Sequence, residues 1–581
     1  MKTTLTLVLL AFATLRANAA ESIVTSKHNL SASGIGELRA VTETEICMFC
    51  HTPHRATGTQ PLWNRALSSA TYTPYASSTL KATVGQPTGA SKLCLSCHDG
   101  TVALGMLNSR VGGIEMKAGV TTLPPGRANL GTDLADDHPV SFTYDSALTT
   151  ANGQLRDPST LNQKVRLDHN NQMQCTSCHD PHNNEFGQFL VKANTQSALC
   201  TECHSMTSWQ NSAHRISSKT WNGSGPNPFP NITANSVSSA ACESCHAPHN
   251  AGIKERLLTQ TTEELTCNVC HNGNVAEKNV DPEFRKASVH PILSTTGVHD
   301  PAEDVLNPPR HVECADCHNP HAANSSPAMA PTASGALAGL TGVNENGATV
   351  RPLTKQHELC FRCHADSLSR GQAVVPRKIV ETNTRLEFAG NNSSFHPVLA
   401  PGRNPNVPSL ITPWTTSSRM YCTDCHNSDG GPNAGGSGPN GPHGSAFSPI
   451  LERQLVTTDF QNESAGSYAL CYKCHNRSSI LADQSFASHK LHIVDHQTAC
   501  STCHDSHGVQ SQAGLINFNT LYVQQNSKGK LEFNSTGNYN GTCSLKCHDS
   551  EHDQTPYGPG ATLQSEMRKL RTTPAPPRKR K

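Results

Sequence analysis

Close pairs of cysteines, each followed directly by a histidine, are the residues of this sequence with the clearest capacity for chemistry. The chain has 581 residues, of which 24 are Cys and 31 are His. Every Cys belongs to such a pair, as in Cys47, Cys50 and His51. Thiols and imidazoles are both metal ligands, so the pattern indicates a chain organised around metals or cofactors.

Twelve pairs account for all the cysteines. Eleven have two residues between the cysteines and the last has three. The sets are Cys47/Cys50/His51, Cys94/Cys97/His98, Cys175/Cys178/His179, Cys200/Cys203/His204, Cys242/Cys245/His246, Cys267/Cys270/His271, Cys314/Cys317/His318, Cys360/Cys363/His364, Cys422/Cys425/His426, Cys471/Cys474/His475, Cys500/Cys503/His504 and Cys543/Cys547/His548.

Cys-x-x-Cys-His is the covalent attachment site of c-type haem, in which two thiols bind the vinyl groups and the His binds the iron. Zinc sites and disulfides also use close Cys pairs, but zinc needs two pairs per metal and no obligatory His. Because only 31 of 581 residues are His, its presence after every pair favours haem. The sequence predicts about twelve covalent haems c, with the twelve adjacent histidines as proximal ligands.

The last pair departs from the spacing, because Ser544, Leu545 and Lys546 separate its cysteines. His548 still follows the second Cys directly, so an extra residue could bulge without moving the iron ligand. We expect this site to carry haem as well.

The motifs alternate between two types, which predicts six two-haem modules. The first motif of each module has a second His downstream, usually three residues further on. A downstream His cannot easily reach the far face of the same porphyrin, so we expect it to be the distal ligand of a neighbouring haem. These histidines are His54, His182, His249, His321 and His507, with His443 as the equivalent after a Gly/Pro/Asn-rich insertion.

Each module also has a His upstream of its first motif, which completes a predicted set of twelve distal ligands. These are His28, His138, His214, His290, His396 and His492, with His489 as an alternative to His492. Seven histidines remain as spares: His169, His299, His311, His357, His496, His552 and whichever of His489 and His492 is not used.

Iron with two imidazole ligands has no open coordination position, so the pattern favours electron transfer over catalysis, and we assign no catalytic residue. Two alternatives stay open. One is a haem reductase of nitrogen or sulfur oxyanions, which needs an open or unusually ligated iron. The other is a filament-forming structural cytochrome, which shares the same haem chemistry.

Composition predicts a multihaem fold of loops with short α-helices at the attachment motifs and little regular sheet. Hydrophobic residues make up 35 % of the chain and aromatic residues 5 %, which is little material for protein-only cores. Gly (41) and Pro (37) are frequent, and no sustained helical or strand periodicity occurs. We expect the haems to fill the interior and the haem-free chain to be largely unfolded.

The chain divides into an export signal, six haem pairs and a tail. Lys2, an apolar run and Ala17-Asn18-Ala19 resemble a Sec signal peptide, so we expect an exported protein in the periplasm, at the outer-membrane surface or outside the cell. No later segment has the length and apolarity of a membrane span. The predicted segments are 1–19 (signal), 20–130, 131–208, 209–285, 286–385, 386–485 and 486–556 (haem pairs 1 to 6) and 557–581 (basic disordered tail).

The formal charge of +1 omits the cofactors. Removing Lys2 and Arg16 from the 46 basic residues leaves 44 against 45 acidic residues. Twelve haems with ionised propionates then give about −13 when ferric and about −25 when ferrous. This charge favours cationic redox partners, and we expect no nucleic-acid partner.

The motifs resemble those of the doubled-CxxCH multihaem c-type cytochromes of metal-respiring bacteria, here with twelve haems. The resemblance is carried by Cys-x-x-Cys-His-x-Pro-His at 175–182, by His138-Pro139-Val140, and by the C-terminal segments 500–508 and 515–518. It implies an electron carrier of the periplasm or outer surface. It also implies partners such as periplasmic cytochromes and an outer-membrane porin, and some relatives that assemble into filaments.

Overall fold

The structure is a computed structural model that describes residues 22–57, 61–229, 234–294, 298–307, 311–368, 370–371, 373–537 and 539–558. The predicted signal peptide and all but the first two residues of the predicted tail lie outside the described residues. No helix in the described part of the chain combines the length and apolarity needed to cross a bilayer.

Short helices separated by long loops dominate the described residues, as composition predicts. The α-helices, numbered α1 to α13, are Gly89–His98, Ser146–Asn152, Cys175–Cys178, Cys200–Cys203, Ala213–Ile216, Val237–Ala240, Glu263–His271, Cys314–Cys317, Gln356–His364, Thr384–Glu387, Ala469–Tyr472, Arg477–Leu481 and Cys500–Cys503. Three more attachment motifs lie on single 3₁₀ turns at Cys47–Phe49, Ala241–Ser244 and Cys422–Asp424. Eleven of the twelve motifs therefore include a helical turn of one kind or the other.

The two motif types differ in how their helices end. After α3 (Cys175–Cys178), His179 has an extended backbone and the chain turns away. In α1 (Gly89–His98), by contrast, the helix begins before the cysteines and includes His98. The alternation in sequence is thus an alternation in local structure, with a turn at most first motifs and a longer helix at several second motifs.

At three first motifs a 3₁₀ turn takes the place of the short α-helix, as before Cys245. The turn Ala241–Ser244 is a 3₁₀ turn that ends before this cysteine, whose φ of −122° and ψ of −27° lie outside the helical region. The carbonyl oxygen of Cys245 accepts a hydrogen bond from the N–H of Thr259 at 2.9 Å. Because this carbonyl oxygen accepts from Thr259, it does not accept the hydrogen bond that would continue a helix beyond Cys245. Cys50 and Cys425 likewise follow their 3₁₀ turns.

The strands are short, and most of them form two-stranded pairs. They are β1 to β12: Phe142–Thr143, Gln172–Met173, Ser288–Val289, Gly342–Val343, Thr349–Val350, Ser394–Phe395, Gly444–Ser445, Gly508–Val509, Val523–Gln524, Glu532–Gly537, Asn540–Cys547 and Ser550–Tyr557. Two-stranded antiparallel pairs join β1 to β2, β3 to β7, β4 to β5 and β6 to β8. The last four strands form one sheet in which β11 pairs with β9, β10 and β12.

The chain separates into two compact units. The first consists of Met1–Trp209, Arg215–Trp221 and Asn227–Thr266, and the second of Gln210–His214, Asn222–Pro226 and Cys267–Lys581. The boundary falls inside the predicted third haem pair, with the motif of Cys242 and Cys245 in the first unit and that of Cys267 in the second. The units are coarser than the six predicted modules, and the six-module division stays a prediction.

Apolar packing occurs in several small clusters. The largest described clusters have five buried members each, one around Phe49 and Leu104 and one around Phe142 and Tyr144. Attachment cysteines belong to or pack against both clusters, as Cys50 and Cys97 pack against the first of them. The hydrophobic groups are therefore distributed along the attachment sites.

Candidate functional site

Among the described residues, ten proximal histidines lie opposite a second imidazole, with ring centres 6.1 to 6.5 Å apart. Nine of the opposing rings belong to histidines predicted as distal ligands. The pairs are His51–His182, His98–His28, His179–His249, His204–His138, His271–His214, His318–His443, His364–His290, His426–His507, His475–His396 and His504–His489.

This separation fits one metal ion between the two rings. Two metal–nitrogen bonds of about 2 Å, with about 1 Å from each nitrogen to its ring centre, put the rings about 6 Å apart. Distance alone does not identify a haem, since the spare residues His299 and His311 are also 6.4 Å apart. What distinguishes the ten pairs is that one member of each directly follows two cysteines.

The pairs follow a fixed register. In four of them a first-motif His faces the downstream His of the next module, as His51 faces His182. In five others a second-motif His faces the upstream His of its own module, as His98 faces His28. Sequence reasoning predicted that a downstream His serves a neighbouring haem, but not which neighbour.

Backbone carbonyls orient the proximal rings. The Nδ1 of His98 is 2.7 Å from the carbonyl oxygen of Ala128, and the Nδ1 of His179 is 2.9 Å from that of Gln188. Such a contact fixes Nδ1 as the N–H and leaves the Nε2 lone pair for a metal. The same arrangement recurs at His51, His246, His318, His426 and His504.

A strained turn supplies several of these carbonyls. After five first motifs the residue that follows the accepting carbonyl has a positive φ although it is a large apolar residue. These residues are Leu62, Phe189, Leu257, Ile450 and Leu515, with φ between 51° and 62°. Side chains of this kind rarely adopt the left-handed region. The repeated conformation indicates that the surrounding contacts hold it where the carbonyl meets the imidazole.

Upstream and downstream histidines of successive modules are joined through the backbone. The Nδ1 of His290 is 2.7 Å from the carbonyl oxygen of Pro442, the residue before His443. The same contact links His28 to Pro181, His214 to Pro320 and His396 to Ser506. The Pro of the Cys-x-x-Cys-His-x-Pro-His pattern thereby places an acceptor beside the downstream His, a role that the sequence did not indicate.

Two of the short sheets hold these junctions. Strand β6 (Ser394–Phe395) ends just before His396, and its partner β8 (Gly508–Val509) begins just after His507. A Cβ at Gly508 would lie 2.0 Å from the carbonyl oxygen of Glu387, so no side chain fits there. Strands β3 and β7 repeat this arrangement beside His290 and His443.

Thiols of successive modules also meet. Contacts between side chains join Cys94 to Cys175, Cys200 to Cys242, Cys360 to Cys422 and Cys471 to Cys500. Each contact links the second motif of one module to the first motif of the next. The attachment edges of successive predicted haems therefore lie side by side.

The second cysteine of the fifth motif is placed by the backbone. Cys245 is partly buried, and its N–H donates to the carbonyl oxygen of Cys242 at 3.1 Å. In this motif it is Cys242 whose thiol contacts the preceding module, at Cys200. The role of Cys245 as the second attachment thiol stays a prediction from the sequence.

Burial keeps the imidazoles neutral, which metal binding requires. Desolvation lowers the pKa of His271, His426, His443 and His475 to about 4. An open cleft with an empty volume of about 430 Å³ is lined by Cys175 and His249, the predicted attachment thiol and distal ligand of one haem. The described residues therefore fit haem c at these sites.

Comparison with known proteins agrees with this geometry. Residues 169–208 match the doubled CXXCH motif family, and residues 234–394 match the family described as outer membrane cytochrome MtrC/MtrF-like, domains II/IV. The multiheme cytochrome MtrA of Shewanella baltica (strain OS185) is 26 % identical over 269 residues, which are 44 % of this chain. The alignment spans 57 % of that relative. The chain is a multihaem c-type cytochrome with doubled CxxCH motifs.

Five predicted ligands of the cytochrome are not among the ten pairs: His54, His246, His321, His492 and His548. His54 is exposed, and no imidazole faces it among the described residues. His54 occupies the downstream position of module one. By the register it would serve the preceding module, and the motif at Cys47 is the first in the sequence. His246 and His321 belong to different units and stay sequence predictions.

The sixth module departs from the register. His504 faces His489, not His492, which was the first choice from the sequence, with ring centres 6.3 Å apart. The ring of His492 lies 6.5 Å from those of His496 and His552. With no seventh module to supply a downstream His, the first haem of module six would take an upstream His of its own module. The sequence offered both His489 and His492 at that position.

The stretched site of the cytochrome differs from the other eleven. Cys543 and Cys547 lie on strand β11, where four residues span about 13 Å, compared with about 6 Å on a helix. The Nε2 of His548 is 2.8 Å from a carboxylate oxygen of buried Asp459. Two vinyl groups on one porphyrin edge and an axial imidazole do not fit this conformation. Haem at this site would require β11 to become a turn.

The haem count is checked by the intact mass of protein matured in a periplasm. Twelve haem additions remain the expected result, because both thiols and the adjacent His of the last motif are present. A Cys543→Ser/Cys547→Ser variant should then carry one haem fewer. Eleven haems in both proteins would show that the strand is the mature conformation.

Carboxylates replace the carbonyl at two distal ligands. The Nδ1 of His249 is 3.0 Å from buried Asp137, and the Nδ1 of His507 is 2.7 Å from Glu387. An anionic acceptor makes an imidazole a stronger donor to the metal and favours the ferric state. The haems with His249 and His507 as distal ligands should therefore have lower reduction potentials than haems whose distal ligands contact backbone carbonyls.

Removal of the carboxylate charge of Asp137 should raise the reduction potential of one haem. Asp137→Asn is expected to shift the haem between His179 and His249 upward by on the order of 50 mV, close to a tenfold change in relative ferric stability. Potentiometric titration with spectral fitting measures the shift. Asp180→Asn is the matched control, since Asp180 lies 3.5 Å from His182 at the surface, where water screens the charge. Equal shifts in both variants would contradict the assignment.

Proposed function

We propose that this protein is an exported electron carrier that moves electrons along about twelve bis-histidine c-type haems. The electrons would pass from a periplasmic donor towards an acceptor at or beyond the outer membrane. The family matches support this class of activity, since the matched relatives are described as multihaem and outer-membrane cytochromes.

The alternating register of histidine pairs carries the proposal. At four junctions, the ring of an upstream His contacts the carbonyl oxygen of the residue before a downstream His, as from His290 to Pro442 beside His443. Between modules, thioether positions such as Cys360 and Cys422 touch. Two kinds of contact therefore alternate along each unit. The proposed electron path follows the order of the motifs in the sequence.

The charge of the loaded protein supports partners of opposite sign. Haem propionates make the holoprotein strongly negative, and basic patches on a partner would steer association. Periplasmic cytochromes and an outer-membrane porin are the partners that the family resemblance suggests.

The test combines location with electron transfer. Fractionated cells that produce the tagged protein should contain it in the periplasm or outer membrane. The purified protein, reduced by dithionite, should be fully reoxidised by a ferric chelate, with one electron delivered per haem. A cytoplasmic location, or a large fraction of haem that the chelate cannot reoxidise, would contradict a continuous carrier.

A reductase remains the second candidate because the last proximal histidine faces a carboxylate and not an imidazole in the described structure. His548 contacts Asp459 and packs against Phe460, with ring centres 4.5 Å apart. A haem bound by His548 without a second imidazole would have the open coordination position that catalysis needs. Carbon monoxide binding by one haem per chain, together with turnover of an oxyanion, would favour the reductase over the carrier.

A further inference from the structure

Two of the spare histidines meet three carboxylates in the second unit, beside the attachment motif at Cys314 and Cys317. One ligand atom each from His299, His311, Glu313 and Asp316 lies within 4.8 Å of all the others. The rings of His299 and His311 are 6.4 Å apart. None of these side chains is a predicted iron ligand, so the haem chemistry does not account for the cluster.

The cluster is enclosed. The side chains of His299, His311 and Asp316 are 12 %, 17 % and 15 % exposed, and Glu313 is 4 % exposed. The Nδ1 of His299 is 3.0 Å from an Asp316 oxygen, and the Nε2 of His311 is 3.6 Å from the other oxygen. Both imidazoles therefore converge on one carboxylate.

Charge balance leaves room for a cation. Glu303 also borders the cluster, 3.3 Å from the Nε2 of His311. Arg362 contacts Glu303 at 3.2 Å and the Asp316 carboxylate at 3.5 Å. With neutral imidazoles, the carboxylates of Glu303, Glu313 and Asp316 and this guanidinium carry a net charge of −2. Partly buried negative charge is costly unless it is compensated, and one divalent ion would compensate it.

We propose that His299, His311, Glu313 and Asp316 bind one divalent first-row transition-metal ion. Two imidazoles and two carboxylates are a donor set that suits zinc and its neighbours. Four tetrahedral metal–ligand bonds of about 2 Å place the ligand atoms about 3.3 Å apart. The four ligand atoms now lie within 4.8 Å of one another, so small side-chain rotations would bring them to the bonding geometry. Three of the four residues lie within four residues of a haem thiol, so the ion would be fixed to the haem scaffold. The proposal does not depend on the electron path.

The test uses Zn²⁺ as the probe and the full haem-loaded protein. After EDTA treatment and desalting, the protein is dialysed against about 1 µM free Zn²⁺, and zinc is measured relative to haem iron by mass spectrometry. We expect one tightly held zinc per chain. A His299→Gln/His311→Gln variant should fall to background, and zinc should raise the melting temperature of the wild type only.

The control is a His169→Gln variant, which removes one exposed spare histidine and should keep the zinc. Haem content and the visible spectrum show whether each variant is loaded and folded. If the His299→Gln/His311→Gln variant loses haem, the single His311→Gln variant should bind zinc at least about tenfold more weakly than the wild type. Absence of stoichiometric zinc in the wild type, or equal zinc in wild type and cluster variants, would overturn the proposal.

Discussion

A His182→Ala variant is expected to contain one high-spin haem in an otherwise low-spin protein. His182 is the ring opposite His51, at 6.1 Å between centres, and its loss would leave the first haem with one axial ligand. An iron with five ligands changes spin state and gains an open position for carbon monoxide. Electron paramagnetic resonance and carbon monoxide titration should both report one altered haem per chain.

His54→Ala is the matched control for this experiment. His54 stands in the same place relative to its motif, three residues after the proximal His, but it is exposed and faces no imidazole among the described residues. The variant should keep the wild-type spectrum. A high-spin haem in His54→Ala, or an unchanged spectrum in His182→Ala, would reject the register in which each downstream His serves the preceding module.

The haem-free chain is expected to lack a cooperative native structure. The apolar clusters are small, and that around Tyr468 and Ile493 includes attachment cysteines among the residues packed against it. Backbone ordering costs about 1–2 kcal/mol per residue, which small separate clusters cannot offset over a chain of this length. Removal of haem also removes every link between a proximal His and its opposing ring.

Expression in a host without c-type haem maturation provides this material. Near-UV circular dichroism should be flat, hydrogen exchange should be fast throughout, and limited proteolysis should digest the chain to small fragments. The matched comparison is the same chain produced with the maturation system. A sharp unfolding transition in the haem-free protein would show that the polypeptide supplies more of the stability than its clusters suggest.

Local chemistry explains what could be predicted from the sequence. The two thiols and the proximal His of a haem site lie within five residues, so the attachment sites and short helices such as α13 (Cys500–Cys503) are visible as a motif. The mostly irregular fold followed from few apolar residues and many Gly and Pro. Both features depend on residues that are adjacent in the chain.

Pairing across the fold could not be predicted in the same way. His507 lies 81 positions after His426, and only the folded chain brings the rings to 6.2 Å. Asp137 and Glu387 look like ordinary acidic residues until each meets an imidazole more than a hundred positions away. At the last motif, pairing of β11 with three other strands is a tertiary effect that outweighed the local expectation of a turn.

The register also bears on how such a chain could change in length. Modules two and five each receive one imidazole from the module after them and supply one to the module before them, as at His179–His249. Duplication or loss of a whole interior module would preserve this exchange, and every remaining iron could keep two ligands. In module one His54 faces no imidazole among the described residues, and in module six His489 of the same module lies opposite His504. Cytochromes built in this way could grow by repetition without redesign of their interior.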